Sequence, residues 1–381
     1  MDFYWSADQQ KIKTDIIQFA QDELSADFIE RDKKGLFSRQ DWNKIAQRGV
    51  IGYPMPAEYG GKDGNILDTM LIMEGLGYGY RDAALIFGIN AQMWSVQMPI
   101  VSHGTSQQKE KYLPKLISGE MIAGHCMSEP VSGSDAYSLQ STADRGGDYY
   151  ILNGSKTFIT NGPIADLFLI FATVNTNKGM WGVTAFLVEK GTPGLDISPV
   201  IEKMGLKTIP MGSVELVNCQ IPLENRLGPE GGGAQLFSGG MEWERSCILA
   251  SSLGAMEYEL EQSITYARER RQFNRPIGDF QSVSNRIVDM KVRLETSRLM
   301  LYKVAWLKSI GKSAVMEAAI AKLYLSECFV QSSLDAVRIF GAKGYLSDYG
   351  VEGILRDSVG GLIYSGTSDI QRNIIARMLG L

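Results

Sequence analysis

Apolar residues recur along this chain with two different periods, and the period changes twice. From the N-terminus to about residue 120 the spacing is helical. Leu67, Met70, Leu71 and Met73 fall on one amphipathic face, and Ser106 through Tyr112 and Leu113 to Ile117 predict a second helix that begins at a capping residue. Loops are marked by Gly35, by Tyr53-Pro54-Met55-Pro56 and by Glu58-Tyr59-Gly60-Gly61. Near Ala123 the texture becomes β. Short β-branched and aromatic runs (149–152, 156–160, 167–171, 183–188 and 214–217) are separated by Asn153-Gly154, Asn161-Gly162-Pro163 and Thr192-Pro193-Gly194. After Gly231-Gly232-Gly233 the helical period returns, through Leu249, Leu253, Met256, Leu260, Ile264 and Ala267, then Val283, Ile287, Met290 and Leu294, then Met316, Ile320, Leu323, Val330, Leu334 and Val337. The pattern predicts an α+β protein in three parts: a helical domain over 1–121, a β domain over 122–232 and a four-helix-type bundle over 233–381.

Composition narrows what such a chain can do. With 381 residues and 44% hydrophobic content it is long enough for several cores, and a net charge of −5 does not suit a nucleic-acid binder, which needs a basic face. No stretch is expected to reach the roughly 20 apolar residues that a membrane span needs, and the first eleven residues are polar and acidic rather than leader-like, so a cytoplasmic protein is expected. Cys126, Cys219, Cys247 and Cys328 have no paired spacing, and His103 and His125 are the only imidazoles; no disulfide framework and no metal site is expected. A chain this poor in the usual catalytic side chains points to chemistry carried by a cofactor.

Three stretches offer candidate chemistry. In Gly239-Gly240-Met241-Glu242-Trp243-Glu244-Arg245, just after the glycine loop, Glu244 beside Arg245 reads either as a general base next to a cation or as solvated charges in a first helical turn. The loop itself does not match a nucleotide fingerprint. In His125 to Asp135, Ser128 and the backbone amides around it can donate to a polarised ring edge or a phosphate, unless the turn binds nothing. Alternation along 158–160 puts Phe158 and Thr160 on one face, as an aromatic wall with a hydroxyl for a flat ring or as a core Phe with a surface Thr.

The stretch Leu362-Ile363-Tyr364-Ser365-Gly366-Thr367-Ser368-Asp369-Ile370-Gln371-Arg372 changes the weight of these candidates. Taken with Ser128-Glu129-Pro130 to Ser134-Asp135, Asn153-Gly154-Ser155-Lys156 to Thr160-Asn161-Gly162, Arg268-Glu269-Arg270-Arg271-Gln272-Phe273 and Phe340-Gly341-Ala342-Lys343-Gly344-Tyr345, it resembles the acyl-CoA dehydrogenase superfamily of flavoproteins over essentially the whole chain. The resemblance implies an N-terminal α domain, a central β-barrel-like domain and a C-terminal four-helix bundle, in a homotetramer that binds FAD. It implies that Met127, Ser128, Phe158 and Thr160 contact the flavin, that Arg270, Phe273 and Gln281 reach the FAD of a neighbouring subunit, that Arg338 and Gly341 bind the cofactor, and that Thr367 and Asp369 lie near its ADP half. Arg338 and Ala342 stand where many members have Gln and Gly, a departure from the usual pyrophosphate contacts. Ser134, Arg245 and Tyr364 match substrate-side positions. Most members carry the catalytic carboxylate where this chain has Ser365; a minority, isovaleryl-type enzymes among them, place it where this chain has Glu244. The resemblance therefore makes Glu244 the base.

Gly162 to Asp166, Gly182 to Leu195, Phe280 to Ile287 and the ending Ile374 to Leu381 are similar to the L-prolyl-carrier-protein dehydrogenases in particular. That similarity implies oxidation of proline held as a thioester on the phosphopantetheine arm of an acyl or peptidyl carrier protein, with oxygen or an electron-transfer flavoprotein as acceptor. A prolyl ring needs only a small pocket, and Met93 and Trp94 would fill the space that a long acyl chain needs unless they are core packing. Arg268, Arg271 and Arg275 read as a docking patch for an acidic partner or as a solvated face. A short- or branched-chain acyl-CoA dehydrogenase and a non-desaturating flavoprotein or monooxygenase remain the alternatives.

Overall fold

The computed structural model describes residues 4–381. Its first part is helical: α1 (Ala7–Glu23), α2 (Phe28–Lys34), α3 (Arg39–Gln47), α4 (Ile66–Gly79), α5 (Ala83–Gln92), α6 (Met98–His103) and α7 (Ser106–Ile117). The Thr105 hydroxyl accepts the Gln108 amide while the Gln108 side chain accepts the Thr105 amide, which fixes the start of α7 where the spacing put it. α4 is buried on nearly every face rather than amphipathic, and its Glu74 is tied to Lys13, Arg298 and the Tyr302 hydroxyl. Between α5 and α6 the helix continues through one π-helical turn, Met93–Gln97. Contrary to the expectation that no stretch reaches this length, the rod Ala83–His103 is 21 residues long and apolar enough to cross a membrane by length and composition, because interior packing also calls for a long apolar helix; 78% of its most apolar stretch is buried inside the fold.

The strands are β1 (Ala123–Cys126), β2 (Thr142–Gly146), β3 (Tyr149–Thr160), β4 (Leu167–Thr173), β5 (Val183–Glu189), β6 (Leu195–Ile197), β7 (Met211–Pro222) and β8 (Arg226–Leu227). They form one sheet in the order β6-β7-β3-β2-β4-β5-β8, with β1 parallel beside β4. β2 meets β4 only at Thr142 and Thr173, so two halves wrap a shared interior. On β4, Phe168, Ile170 and Ala172 face that interior with Tyr150, Leu152 and Val214, whereas Leu167, Leu169 and Phe171 join the helical core. A strand buried on both faces reads as an unbroken apolar run, as 167–171 does.

The last part comprises α8 (Gly233–Cys247), α9 (Ala250–Glu269), α10 (Gln281–Ser309), α11 (Val315–Phe340), α12 (Ala342–Tyr345), α13 (Val351–Gly360) and α14 (Ser368–Met378). α8 starts earlier than the spacing suggested, at Gly233, where a Cβ would stand 2.8 Å from the Val183 carbonyl oxygen. Glu244 and Arg245 therefore occupy the last turn of α8, where the helix dipole does not favour a carboxylate, and the first-turn reading fails on position. On α11 the stripe Met316, Ile320, Leu323, Val330, Leu334 and Val337 is only half-buried. The fully buried face carries Ala318, Lys322, Leu325, Phe329, Ser333 and Ala336. Between α9 and α10 lies a hairpin, β9 (Arg271–Gln272) and β10 (Arg275–Pro276), turned by Phe273 and Asn274 at φ 50° and 64°.

Candidate active site

Three segments remote in sequence meet at the Glu244 carboxylate, which is 9% exposed. Ser95 Oγ donates to Oε2 at 2.5 Å, and Ser365 Oγ donates to Oε1 at 2.6 Å. Ser95 comes from the π-helical turn, and Ser365 holds a left-handed backbone conformation, φ 56°, just after the turn that follows α13. Gln371 of α14 donates to the Ser365 and Gly366 carbonyls at 3.2 and 2.9 Å, and Arg245 Nε donates to the Ser365 carbonyl at 3.4 Å. Trp94 stacks on Trp243, with ring centroids 6.0 Å apart and planes 6° from parallel, and bonds Asn90 through its indole nitrogen. Met93 and Trp94 are both fully buried, and the stack on Trp243 brings the rod alongside α8 one residue before the carboxylate. Ser95, the residue after Met93 and Trp94, was not anticipated; its only sequence signal is a hydroxyl inside an apolar run.

The surroundings of the clamp are buried and charged. Burial draws the Arg245 guanidinium below its usual range, with the Glu244 charge opposing. Lys322 reaches in from α11 with no hydrogen-bond partner among the described residues, 6.0 Å from the centre of the Tyr364 ring; burial, helped by Arg245, holds its amine down to about 8. Burial pushes the Tyr364 phenol up. His125 stacks on Phe237 of α8 at 5.9 Å and leans on Phe171, and burial pulls it below the ordinary imidazole value although Glu244 acts the other way. It packs the β domain against α8.

On the β-domain side, Lys156 and Glu129 form an ion pair at 2.6 Å with both side chains at most 1% exposed. Glu129 also accepts the Gln140 and Ser141 amides, Lys156 donates to the Met127 carbonyl, and the Thr157 amide donates to the Ser128 carbonyl. These bonds stitch Met127 and Ser128 onto β3. A bulge between Lys156 and Ile159 interrupts simple alternation, yet Phe158 and Thr160 still turn to the open side. Phe158 stands at φ 58° with 63% of its surface exposed. A bulky residue in that conformation is strained, and a large exposed aromatic beside half-exposed hydroxyls is the donor set and wall that a flavin ring would cover. The residues present therefore fit FAD. Ser134 lies exposed on the loop between β1 and β2.

The remaining candidates form a second group at the far end of the bundle. Tyr266 stacks on Phe340 at 4.3 Å, which draws Arg270, Phe273 and Gln281 toward Arg338 and Gly341. α9, 20 residues long, separates this end from Glu244 by about 30 Å. Phe273 is 87% exposed, Arg338 is paired with Asp335 at 3.4 Å, and Gly341 has a backbone (φ 61°, ψ −132°) open only to glycine, with nothing near the place of a Cβ. Thr367 caps α14 through the Ile370 amide, and Asp369 is exposed beside Arg372; both stay close to Ser365 rather than joining the far group. One subunit thus does not gather all the candidates into a single site.

Sequence models of the acyl-CoA dehydrogenase N-terminal, middle and C-terminal domains match residues 6–120, 124–219 and 231–380. The chain belongs to the acyl-CoA dehydrogenase family. Among acyl-CoA dehydrogenase relatives, it is 43% identical to the "L-prolyl-[peptidyl-carrier protein] dehydrogenase" of Pseudomonas fluorescens, with 100% of each chain covered. Of solved structures, it superposes on the prolyl acyl carrier protein oxidase AnaB with a TM-score of 0.98 at 50% identity, covering 99% of this chain and 100% of that one. It also superposes on PigA with FAD and proline with a TM-score of 0.98 at 42% identity, both chains covered in full. Within the acyl-CoA dehydrogenase fold, a water-shielded carboxylate gripped by two hydroxyls is equipped to take a proton from carbon.

Proposed function

We propose that this acyl-CoA dehydrogenase oxidises proline carried as a thioester on the phosphopantetheine arm of a carrier protein, giving a pyrroline thioester and, after a second oxidation, a pyrrole. The Glu244 clamp carries the chemical part of this reading, and full-length likeness to enzymes named for prolyl carrier proteins supports the substrate. The thioester carbonyl acidifies the prolyl α-hydrogen, and Glu244 removes it. Ser95 and Ser365 hold both carboxylate oxygens in place, so the base meets the substrate in one orientation. Arg245 keeps the Ser365 carbonyl, and with it the clamp, in position. FAD, when bound, supplies the acceptor for the hydride that leaves the adjacent carbon. Met127, Ser128, Phe158 and Thr160 would hold its ring, Thr367 and Asp369 its ADP half, and Arg270, Phe273, Gln281, Arg338 and Gly341 the FAD of a neighbouring copy.

The reading includes a cytoplasmic homotetramer with oxygen or an electron-transfer flavoprotein as the final acceptor. Val288, Val292 and Leu299 leave an apolar stripe more than half exposed along α10, which supports association between copies. Ser134 and Tyr364 line the way in for the substrate. The test is the intact mass of a prolyl-loaded carrier protein before and after incubation, run beside short acyl-CoA esters. Loss of about 2 mass units is expected for one two-electron oxidation and about 4 for two. An unchanged carrier protein with turnover of isovaleryl- or butyryl-CoA would overturn the prolyl assignment in favour of acyl-CoA oxidation.

A further inference from the structure

Lys156 and Lys308, whose side chains are at most 5% exposed, are each matched by a carboxylate, Glu129 at 2.6 Å and Glu242 at 2.9 Å. Lys322 is fully buried and has no such match: among the described residues its Nζ bonds to nothing. An unpaired buried ammonium is costly, and one kept beside reacting groups points to a use for its charge. The surroundings show where that charge acts. The Tyr364 ring meets Phe87 of α5 with centroids 4.6 Å apart and has Lys322 Nζ 6.0 Å from its centre. One turn further along α11, Ser326 packs under the turn that carries Tyr364, where a Cβ on Gly361 would come within 3.4 Å of it. The next residue, Ser365, holds Glu244 Oε1. Both Glu244 oxygens are taken by hydroxyls, and Arg245 donates to the Ser365 carbonyl, so the carboxylate meets cations only at longer range, in Arg245 and Lys322. The other carboxylate acting on Lys322 is Glu327 of its own helix, half-exposed and 3.8 Å from Arg372 of α14.

We infer that Lys322 is a positioning residue for proton abstraction: its ammonium is the second buried cation that keeps the Glu244 carboxylate ionised, acting across space rather than through a bond. The inference rests on Glu244 as the base in the reading above. A unit charge roughly 10 Å from a carboxylate, at an effective dielectric of about 20, favours the ionised form on the order of tenfold. Burial, helped by Arg245, holds the Lys322 amine down to about 8, with Glu327 and Glu244 acting the other way. The amine is therefore charged below about pH 8 and neutral above it, so its support for Glu244 is present on the acid side and fades as pH rises through that value.

The experiment follows single-turnover flavin bleaching against pH for wild type, Lys322→Met and Lys322→Arg, with the prolyl or butyryl thioester of N-acetylcysteamine, whichever bleaches the wild type. The ratio of variant to wild type at each pH cancels the titration of the probe's own amine. Lys322→Met is expected to bleach about tenfold more slowly on the acid limb, with that limb moved up by about one pH unit, and to converge with wild type above about pH 8. Lys322→Arg, cationic throughout, is expected to restore the wild-type limb. A Lys322→Met loss that is the same at every pH, as a merely structural lysine would give, or no loss at all, would overturn the inference. If Lys322→Met holds no flavin, Lys322→Gln takes its place; if neither does, Lys322→Arg decides, since a displaced acid limb with the cation retained is equally fatal. Failure of the prolyl reading shows separately, as bleaching by the butyryl probe alone, and leaves the charge test in force. An enzyme that neither probe bleaches would sink both.

Discussion

Replacing Glu244 by Gln removes the base while sparing nearly everything around it. Ser365 Oγ, now 2.6 Å from Oε1, can donate to the amide oxygen as before. The Ser95 hydroxyl, 2.5 Å from Oε2, can rotate and accept from the new amide nitrogen, so both contacts survive and no buried group is left unpaired. What disappears is the only carboxylate that the clamp holds. Glu242, on the same helix, is taken up by Lys308 at 2.9 Å and by the Ala314 amide, and Ser365 is no substitute as a base for carbon. Loss of a positioned general base accounts for about 10²- to 10⁴-fold, so kcat on a prolyl thioester should fall within that range. The flavin spectrum and the melting temperature should stay at wild-type values, which separates lost chemistry from lost structure. The assay is single-turnover flavin bleaching with the prolyl probe in excess. A Glu244→Gln enzyme that bleaches within threefold of wild type, with flavin fully bound, would refute the role assigned to Glu244.

Other consequences can be checked more briefly. Lys156→Met leaves Glu129 buried without its cation and should lower unfolding free energy by about 3–5 kcal/mol, with earlier flavin loss; adding Glu129→Gln, which removes the charge and keeps an acceptor for the Gln140 and Ser141 amides, should recover part of it, and a single variant with an unchanged urea midpoint would contradict this. Glu259 is 2% exposed; among the described residues its Oε1 is unpaired and its Oε2 is bonded only to Ser333, and burial pushes its carboxyl up from 4.5 to about 8. Because the folded state binds this proton more tightly than the unfolded chain, its contribution is fully present below pH 4.5 and is lost as pH rises toward about 8. Glu259→Gln should therefore match wild type at low pH and exceed it by on the order of a few kcal/mol at pH 9; parallel melting curves across pH would contradict that. Val292→Lys with Leu299→Lys, on the exposed stripe of α10, should shift the sedimentation coefficient to that of a smaller species, whereas an unchanged coefficient would place the contact between copies elsewhere.

How much of this was readable without coordinates depended on whether the deciding contact is local. α7 and α9 were visible because caps and a 3.6-residue apolar period are properties of neighbouring residues. Glu244 was visible as a carboxylate beside a cation, and its choice over a solvated charge came from a resemblance that sets it against Ser365. Ser95 was invisible because its bond to Glu244 joins residues 149 apart, through a π-helical turn that no propensity marks. The start of α8 was hidden because glycine carries no helical signal where packing on β5 demands its smallness. The buried face of α11 was mistaken because alanine and serine fill close helix contacts without an apolar rhythm. The bulge that turns Phe158 outward escaped notice for a related reason: strand alternation assumes a regular partner, and β7 is out of register there.

The widened turn at Met93–Gln97 carries a consequence for how this site tolerates change. A π turn amounts to one residue added to an α-helix, which advances everything after it by about 100° around the axis. The rod from Ala83 to His103 thus behaves as two lengths of helix clocked against each other, the first presenting Phe87 to Tyr364 and the second following Ser95 at Glu244. Removing one residue anywhere in that turn would leave composition and hydropathy almost untouched and still turn α6 away from its present neighbours. Side-chain replacements can adjust the two ends independently, whereas a single-codon deletion would unclock both at once, so the spacing of this rod is a more fragile inheritance than any one of its residues.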